Sequence, residues 1–273
     1  MTHSGADIAR LLSTHDLRPS RALGQNFVAD PNTVRRIARL AEVGPGQPVL
    51  EIGAGLGSLT LALAETGADV VALERDRHLV PVLRSVVEPV GVEVVEGDAL
   101  TLDLGALLAA HETDGSWSLV ANLPYNVATP LVMRVLTEVP AVERLLVMVQ
   151  REVGERMAAG VGDGAYGSVS VRVAYFATAS VVGKVPAAVF IPQPRVESVL
   201  VRLVRRASPA VDPALVDYGR LAAVVKSGFA QRRKMLRRSL AGVVTPEAFE
   251  RAGVRPDARA EELDVAAWGR LAQ

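Results

Sequence analysis

The most constraining feature of this chain is a short apolar run that ends abruptly in glycine. Val49-Leu50-Glu51-Ile52 is followed by Gly53, Gly55 and Gly57 at alternate positions, then by an apolar pattern through Leu59, Leu61, Leu63 and Ala64. A run of this length bounded by glycines reads as a buried strand. Ser58 is expected to cap the helix behind it and Gly67 to stop that helix. The unit then recurs. Residues 69–74 (DVVALE), 92–98 (VEVVEGD), 118–123 and 145–150 read as strands, and residues 78–88, 129–138 and 151–158 as helices. Strands and helices alternating at this spacing predict an α/β, doubly wound, mostly parallel sheet. Ligands of such sheets sit at the carboxyl ends of the strands.

Further along, residues 160–167 (GVGDGAYG) read as a flexible loop, a candidate lid or substrate-facing turn. Residues 181–204 carry Pro186, Pro192 and Pro194 and end in the alternating stretch VESVLVRLV. Two strands here are expected to complete the sheet in antiparallel fashion. The composition shifts to Ser, Pro and Asp near 207–212, which marks a boundary. Helical patterns over 213–240, 246–252 and 260–271 follow, so residues 1–206 are expected to form the α/β domain and 207–273 a small all-helical one.

With 273 residues, 49% of them hydrophobic, a sizeable core is available. The most apolar stretches, such as 145–149, fall far short of a bilayer span, and the first ten residues lack a basic segment leading into an apolar run. A cytoplasmic protein with no membrane partner is expected. The absence of cysteine excludes disulfides, a thiolate nucleophile and Cys-ligated zinc, and no metal is expected. Net charge is zero, unlike a generic nucleic-acid binder. The cations are instead clustered, with Arg202, Arg205, Arg206, Arg220, Lys226, Arg232, Arg233, Lys234 and Arg237 set against Glu197, Asp212 and Asp217. In isolation such a run is more often a solvated helix face.

The glycines at 53, 55 and 57 permit positive φ and let a ligand approach bare backbone. Their spacing is G-x-G-x-G, not the G-x-G-x-x-G that faces a pyrophosphate. S-adenosylmethionine, which has no phosphate, does not require the latter. Glu74 ends the second strand, where a carboxylate can take both ribose hydroxyls. Asp98 ends the third, where it can accept from an adenine amino group. A nicotinamide cofactor could use the first two features equally, so a dehydrogenase stays open at this point.

Asn122-Leu123-Pro124-Tyr125 follows the fourth strand. Adenine N6 is a poor nucleophile because its lone pair is delocalised into the ring. Two acceptors for its hydrogens, the Asn122 side-chain oxygen and the Leu123 carbonyl, would draw it towards a tetrahedral state. Pro124 fixes the turn that aims them. Tyr125 offers a face for an extruded base, worth about 1–3 kcal/mol. A bare N-x-P-Y is more often a tight turn with a core tyrosine; its place at a strand end beside a cofactor site reverses that.

These residues are similar to those of the bacterial small-subunit (16S) ribosomal RNA adenine dimethyltransferases, the KsgA/RsmA family. The resemblance runs through LGQNF at 23–27, EIGAGLGSLT at 51–60, Glu74, GDAL at 97–100 and NLPYNVATP at 122–130. It continues through VQREVGERM at 149–157, AYGSVSVRVAYF at 165–176, VPAAVFIPQPRVESVLVRL at 185–203 and FAQRRKMLRRSL at 229–240. It implies a Rossmann-like class I methyltransferase with a seven-stranded sheet and a helical C-terminal domain that binds RNA. Cofactor contacts are implied at Asn26, Val28, Gly53, Gly55, Glu74, Asp98 and Asn122. Val28 stands where the family usually has Leu. Phe190 is implied to close on the base opposite Tyr125, although a lone Phe before Pro is more often core.

Beside an RNA-modifying core, Arg232, Arg233, Lys234 and Arg237, expected on a helix that begins the tail domain, become candidate phosphate contacts. The resemblance implies a monomer that docks on the small (30S) ribosomal subunit and converts two adjacent adenines of 16S rRNA to N6,N6-dimethyladenosine. The rivals are a large-subunit (23S) adenine methyltransferase of the macrolide-resistance type, a non-catalytic assembly factor and, more distantly, the dehydrogenase.

Overall fold

The computed structural model describes every residue except Met1, Arg21, Glu112, Asp114 and Arg232. The described residues group into two compact units. One comprises Met1–Gly154 with Val181–Leu203, the other Glu155–Ser180 with Val204–Gln273.

The first unit is built on the repeated strand–helix unit. Strands β2 (Pro48–Ile52), β3 (Asp69–Glu74), β4 (Glu93–Glu96), β5 (Trp117–Asn122) and β6 (Val142–Gln150) alternate with helices α3 (Ser58–Ala64), α4 (Val80–Val87), α5 (Leu104–Ala109) and α6 (Ala128–Glu138). The β2–β3, β3–β4, β2–β5 and β5–β6 pairs are all parallel. The sheet runs β4-β3-β2-β5-β6 and is completed by β9 (Ser198–Arg205) and β7 (Ala177–Val185), giving seven strands in a mixed, mostly parallel sheet. Strand β2 is buried at every residue, as a strand covered on both faces must be. The chain leaves β2 for β3 on one side and later returns through β5 on the other. The carboxyl end of β2 is therefore a switch point, the crevice where ligands of open α/β sheets bind.

Two helices at the amino end precede the sheet. Helix α1 (Gly5–Thr14) opens on a capping box between Ser4 and Asp7. Helix α2 (Pro31–Ala41) has Asp30 as its cap and Pro31 at its first position. Between them β1 (Phe27–Val28) pairs antiparallel with β8 (Phe190–Ile191), setting Val28 opposite Phe190.

In the second unit, Glu155–Ser180 groups with the tail although the sequence pattern places the boundary at 206/207. Tyr166, Val171 and Tyr175, the last two on α8 (Ser168–Phe176), which follows α7 (Arg151–Ala158), share one buried cluster with Leu221, Leu236, Phe249 and Trp268 of the tail. The Tyr166 hydroxyl donates to the Leu263 carbonyl at 2.8 Å. The expected helical run over 213–240 is interrupted. Helix α9 (Tyr218–Ala230) ends where Gln231 leaves helical geometry (φ −127°, ψ 67°), and α10 begins only at Leu236 (Leu236–Ser239). Met235 between them is drawn into a β-bridge with Arg259. Arg233 and Lys234 therefore lie on a turn, not on a helix. Helices α11 (Pro246–Ala252) and α12 (Val265–Ala272) close the tail. Among the described residues no helix is long and apolar enough to cross a membrane.

Candidate active site

One cavity unites the carboxyl ends of β2, β3 and β5 with the chain just beyond β4. Its floor is the glycine loop after β2. Gly53, Gly55 and Gly57 all have positive φ (76°, 61° and 85°). A Cβ on Gly55 would also lie 3.1 Å from the Phe27 ring, so both conformation and space demand glycine there. Gly57, not Ser58, is the N-cap of α3. Ser58 is the first helical residue, and its Oγ is buried in the cavity wall with no hydrogen-bond partner among the described residues.

A second orphan faces the same space. Glu51 sits inside the apolar strand β2, 2% exposed, and its Oε2 has no partner among the described residues. Burial pushes its carboxyl up to about 8, and the nearby Glu74 adds to the shift. A neutral acid held this way invites a cation that would let it ionise.

Glu74 ends β3. Its Oε2 accepts from the Gly55 N–H at 2.7 Å and its Oε1 from the N–H groups of Arg75 and Asp76, both at 2.8 Å. Burial raises its pKa against those bonds. Three of about four acceptor positions are thus used, so a diol arriving here must share or displace one. Beyond β4, Asp98 accepts from the Leu100 N–H at 2.9 Å and pairs with Arg75 at 3.2 Å.

Asn122 ends β5, and its Nδ2 donates to the Asn26 carbonyl at 2.9 Å. That bond fixes which way the carboxamide faces and leaves Oδ1 as an unused acceptor. The Leu123 N–H donates to the Met148 carbonyl of β6 at 3.1 Å, anchoring the turn. The Pro124 carbonyl accepts from Val127 and Ala128, starting α6. Tyr125 is half-buried at the edge of the cavity, its hydroxyl 2.9 Å from Ser198 Oγ.

The segment that holds Asn122 is itself latched. Gln25 accepts from the Ser20 N–H at 2.7 Å and donates to Asp76 Oδ2 at 2.8 Å. Gly24, at φ +66°, packs against Pro124; a Cβ there would fall 3.1 Å from the proline Cβ. Residues 22–26 so line the cavity between the end of β3 and the Asn122 turn.

A family model described as ribosomal RNA adenine dimethylase matches residues 17–273. The chain belongs to that family. It is 44% identical to the ribosomal RNA small subunit methyltransferase A of Cutibacterium acnes, an alignment covering 98% of this chain and 92% of that one. It is 43% identical to the protein of the same name from Streptomyces coelicolor, covering 98% and 95%. Among solved structures, a 23S rRNA methyltransferase, ErmE, matches at 29% identity with a TM-score of 0.69 over 90% of this chain and 98% of that one. A dimethyladenosine transferase from Plasmodium falciparum shares the fold at 24% identity (TM-score 0.74, 89% and 94%). As a member of the rRNA adenine dimethylase family, the chain is a methyltransferase whose cofactor is S-adenosylmethionine.

The cavity suits that cofactor. The orphaned Glu51 and Ser58 oxygens match its ammonium group, and Glu74 and Asp98 match a ribose and an adenine amine. Asn26, Val28, Gly53, Gly55, Glu74, Asp98, Asn122, Leu123, Pro124 and Tyr125 all line it. Phe190 does not. Its ring is 3% exposed and packs in the core cluster with Val28, its partner across the β1–β8 pair. In the tail, Arg233, Lys234 and Arg237 are exposed. None of these three forms an ion pair among the described residues, whereas Arg232 lies outside those residues. Sequence patterns do not single out Glu51, Ser58, Arg75 or Gln25 as site residues. For Glu51 a signal exists, an acid in the middle of an otherwise apolar strand. For Gln25 the signal is only its place in the LGQNF stretch, because its partner lies 51 residues away.

Proposed function

We propose that this methyltransferase modifies N6 of two adjacent adenosines near the 3′ end of 16S rRNA within the small ribosomal subunit, leaving N6,N6-dimethyladenosine. The observation that carries the reading is the Asn122–Asn26 bond, which leaves the Asn122 Oδ1 free to accept beside a cofactor cavity. S-adenosylmethionine supplies an electrophilic methyl on a positively charged sulfur. Asn122 Oδ1 and the Leu123 carbonyl accept the N6 hydrogens, two before the first transfer and one before the second, drawing the lone pair out of the ring. Tyr125 stacks on the extruded base. Glu51 and Ser58 hold the cofactor's ammonium, Glu74 its ribose, and Asp98 its adenine amine. Attack breaks the methyl–sulfur bond, leaves a neutral thioether and makes a cationic amine that loses its proton to solvent, so no dedicated base is needed. Positioning and desolvation carry the catalysis. Arg233, Lys234 and Arg237 contact RNA phosphates, and the protein works as a cytoplasmic monomer.

The small-subunit target rests on 43–44% identity to relatives named for that activity, against 29% to the large-subunit enzyme. The test is to incubate the protein with labelled cofactor and either unmethylated small subunits or protein-free large-subunit RNA, then to locate the label by mass spectrometry. Two neighbouring dimethyladenosines in the small-subunit RNA are expected. Label confined to the large-subunit RNA would overturn the assignment.

A further inference from the structure

Tyr125 stands in a turn, and a ring in a turn needs something rigid to fix its direction. Its hydroxyl meets Ser198 Oγ at 2.9 Å. Ser198 is fully buried at the start of β9, and among the described residues its hydroxyl has no other partner. The phenol is held at two points, by its own backbone and by a sheet residue 73 positions later. Two points fix the long axis of the ring and leave only rotation about it. Burial of the hydroxyl end raises the tyrosine pKa, so the ring stays neutral.

From this geometry we infer that Ser198 is a positioning residue for the methyl transfer, holding the long axis of the Tyr125 ring where the target adenine stacks. The inference rests on the role proposed above for Tyr125. Ser198 does not touch the substrate; it prepays the ordering of the ring, so its contribution is to turnover and not to cofactor affinity. Replacing serine by alanine at a buried position removes one oxygen and creates no clash.

The experiment is a double-mutant cycle with Ser198→Ala and Tyr125→Phe, read in single-turnover methylation of unmethylated small subunits. Unfolding midpoints and cofactor affinity are measured on the same samples. One hydrogen bond of this kind predicts a loss of about three- to ten-fold in rate for each single variant. The double variant should lose no more than either single, because both remove the same bond. Cofactor affinity should stay within about two-fold throughout. Independent, multiplying losses, or an unaffected rate in Ser198→Ala, would overturn the inference. Tyr125→Ala separates the two claims. If it is inactive while Ser198→Ala is normal, the stacking role survives and the positioning role falls. If Tyr125→Ala is itself active, both fall.

Discussion

The Asn122 carboxamide is oriented by a residue 96 positions earlier in the chain, donating through Nδ2 to the Asn26 carbonyl at 2.9 Å. A carboxamide can serve this site because it has a donor and an acceptor on one planar group. The donor is spent on Asn26, and the acceptor remains for the substrate amine.

Asn122→Ala should therefore lower methyl transfer by about 100-fold or more, the usual cost of losing one preorganised polar partner in a transition state. Binding of small subunits, measured by filter retention, should stay within about two-fold. Asn122→Asp is the sharper variant. It keeps an acceptor but cannot donate to Asn26, so it too should be inactive. Near-normal turnover in the aspartate variant would show that the orienting bond does not matter.

Glu51 makes the protein sensitive to pH. Its carboxyl is raised from the ordinary 4.5 to about 8, first by burial. The folded state thus holds a proton that the unfolded state has already lost. The stability contributed is full below pH 4.5 and falls as pH rises towards 8, by up to about 1.4 kcal/mol per pH unit. Cofactor-free protein should melt at progressively lower temperature from pH 6 to pH 8, and Glu51→Gln should flatten that decline. A cofactor ammonium reverses the preference by stabilising the carboxylate. Binding at pH 7 should release up to about one proton, seen as buffer-dependent heat in calorimetry. Glu51→Gln should release none.

What the sequence made legible follows from distance along the chain. Gly53, Glu74, Asp98 and Asn122 each end or follow a strand with its own local pattern, so a parallel sheet brings them together without further information. Glu51 was legible in principle, but apolar periodicity hides one acid in a buried strand. The Gln25–Asp76 and Tyr125–Ser198 bonds join segments that only the fold brings into contact. Phe190 took its expected role from the family pattern alone. Its burial comes from two short strands, β1 and β8, whose pairing no local periodicity announces. The break after Ala230 was hidden because the residues at 231–235 have no strong helix breaker; the chain leaves helical geometry at Gln231, and Met235 pairs with Arg259.

The basic turn at Arg233 and Lys234, with Arg237 on α10, is exposed and lacks carboxylate partners among the described residues, so its cations are available to phosphates. Replacing the three by alanine should weaken small-subunit binding. It should also reduce the slope of log affinity against log salt by about 2–3, since each phosphate contact contributes about 0.7–0.9. Cofactor affinity should not change. An unaltered slope would mean that these side chains only solvate the surface.

The Gln25–Asp76 bond can be tested by exchanging its donor and acceptor. Asp76 uses Oδ1 for the His78 N–H at 3.0 Å and Oδ2 for Gln25 at 2.8 Å. Gln25→Glu keeps the acceptor for Ser20 but sets two carboxylates against each other. The segment that carries Asn26 should then detach, weakening cofactor binding by about ten-fold and slowing turnover through Asn122. Adding Asp76→Asn restores a donor on the opposite side, since the new amide can keep its oxygen on His78 and turn its nitrogen to the carboxylate introduced at position 25. The double variant should recover to within about three-fold of the parent in both measurements. Recovery of cofactor affinity without turnover would separate the two ends of the segment. It would show that Asn26 holds Asn122 independently of this latch.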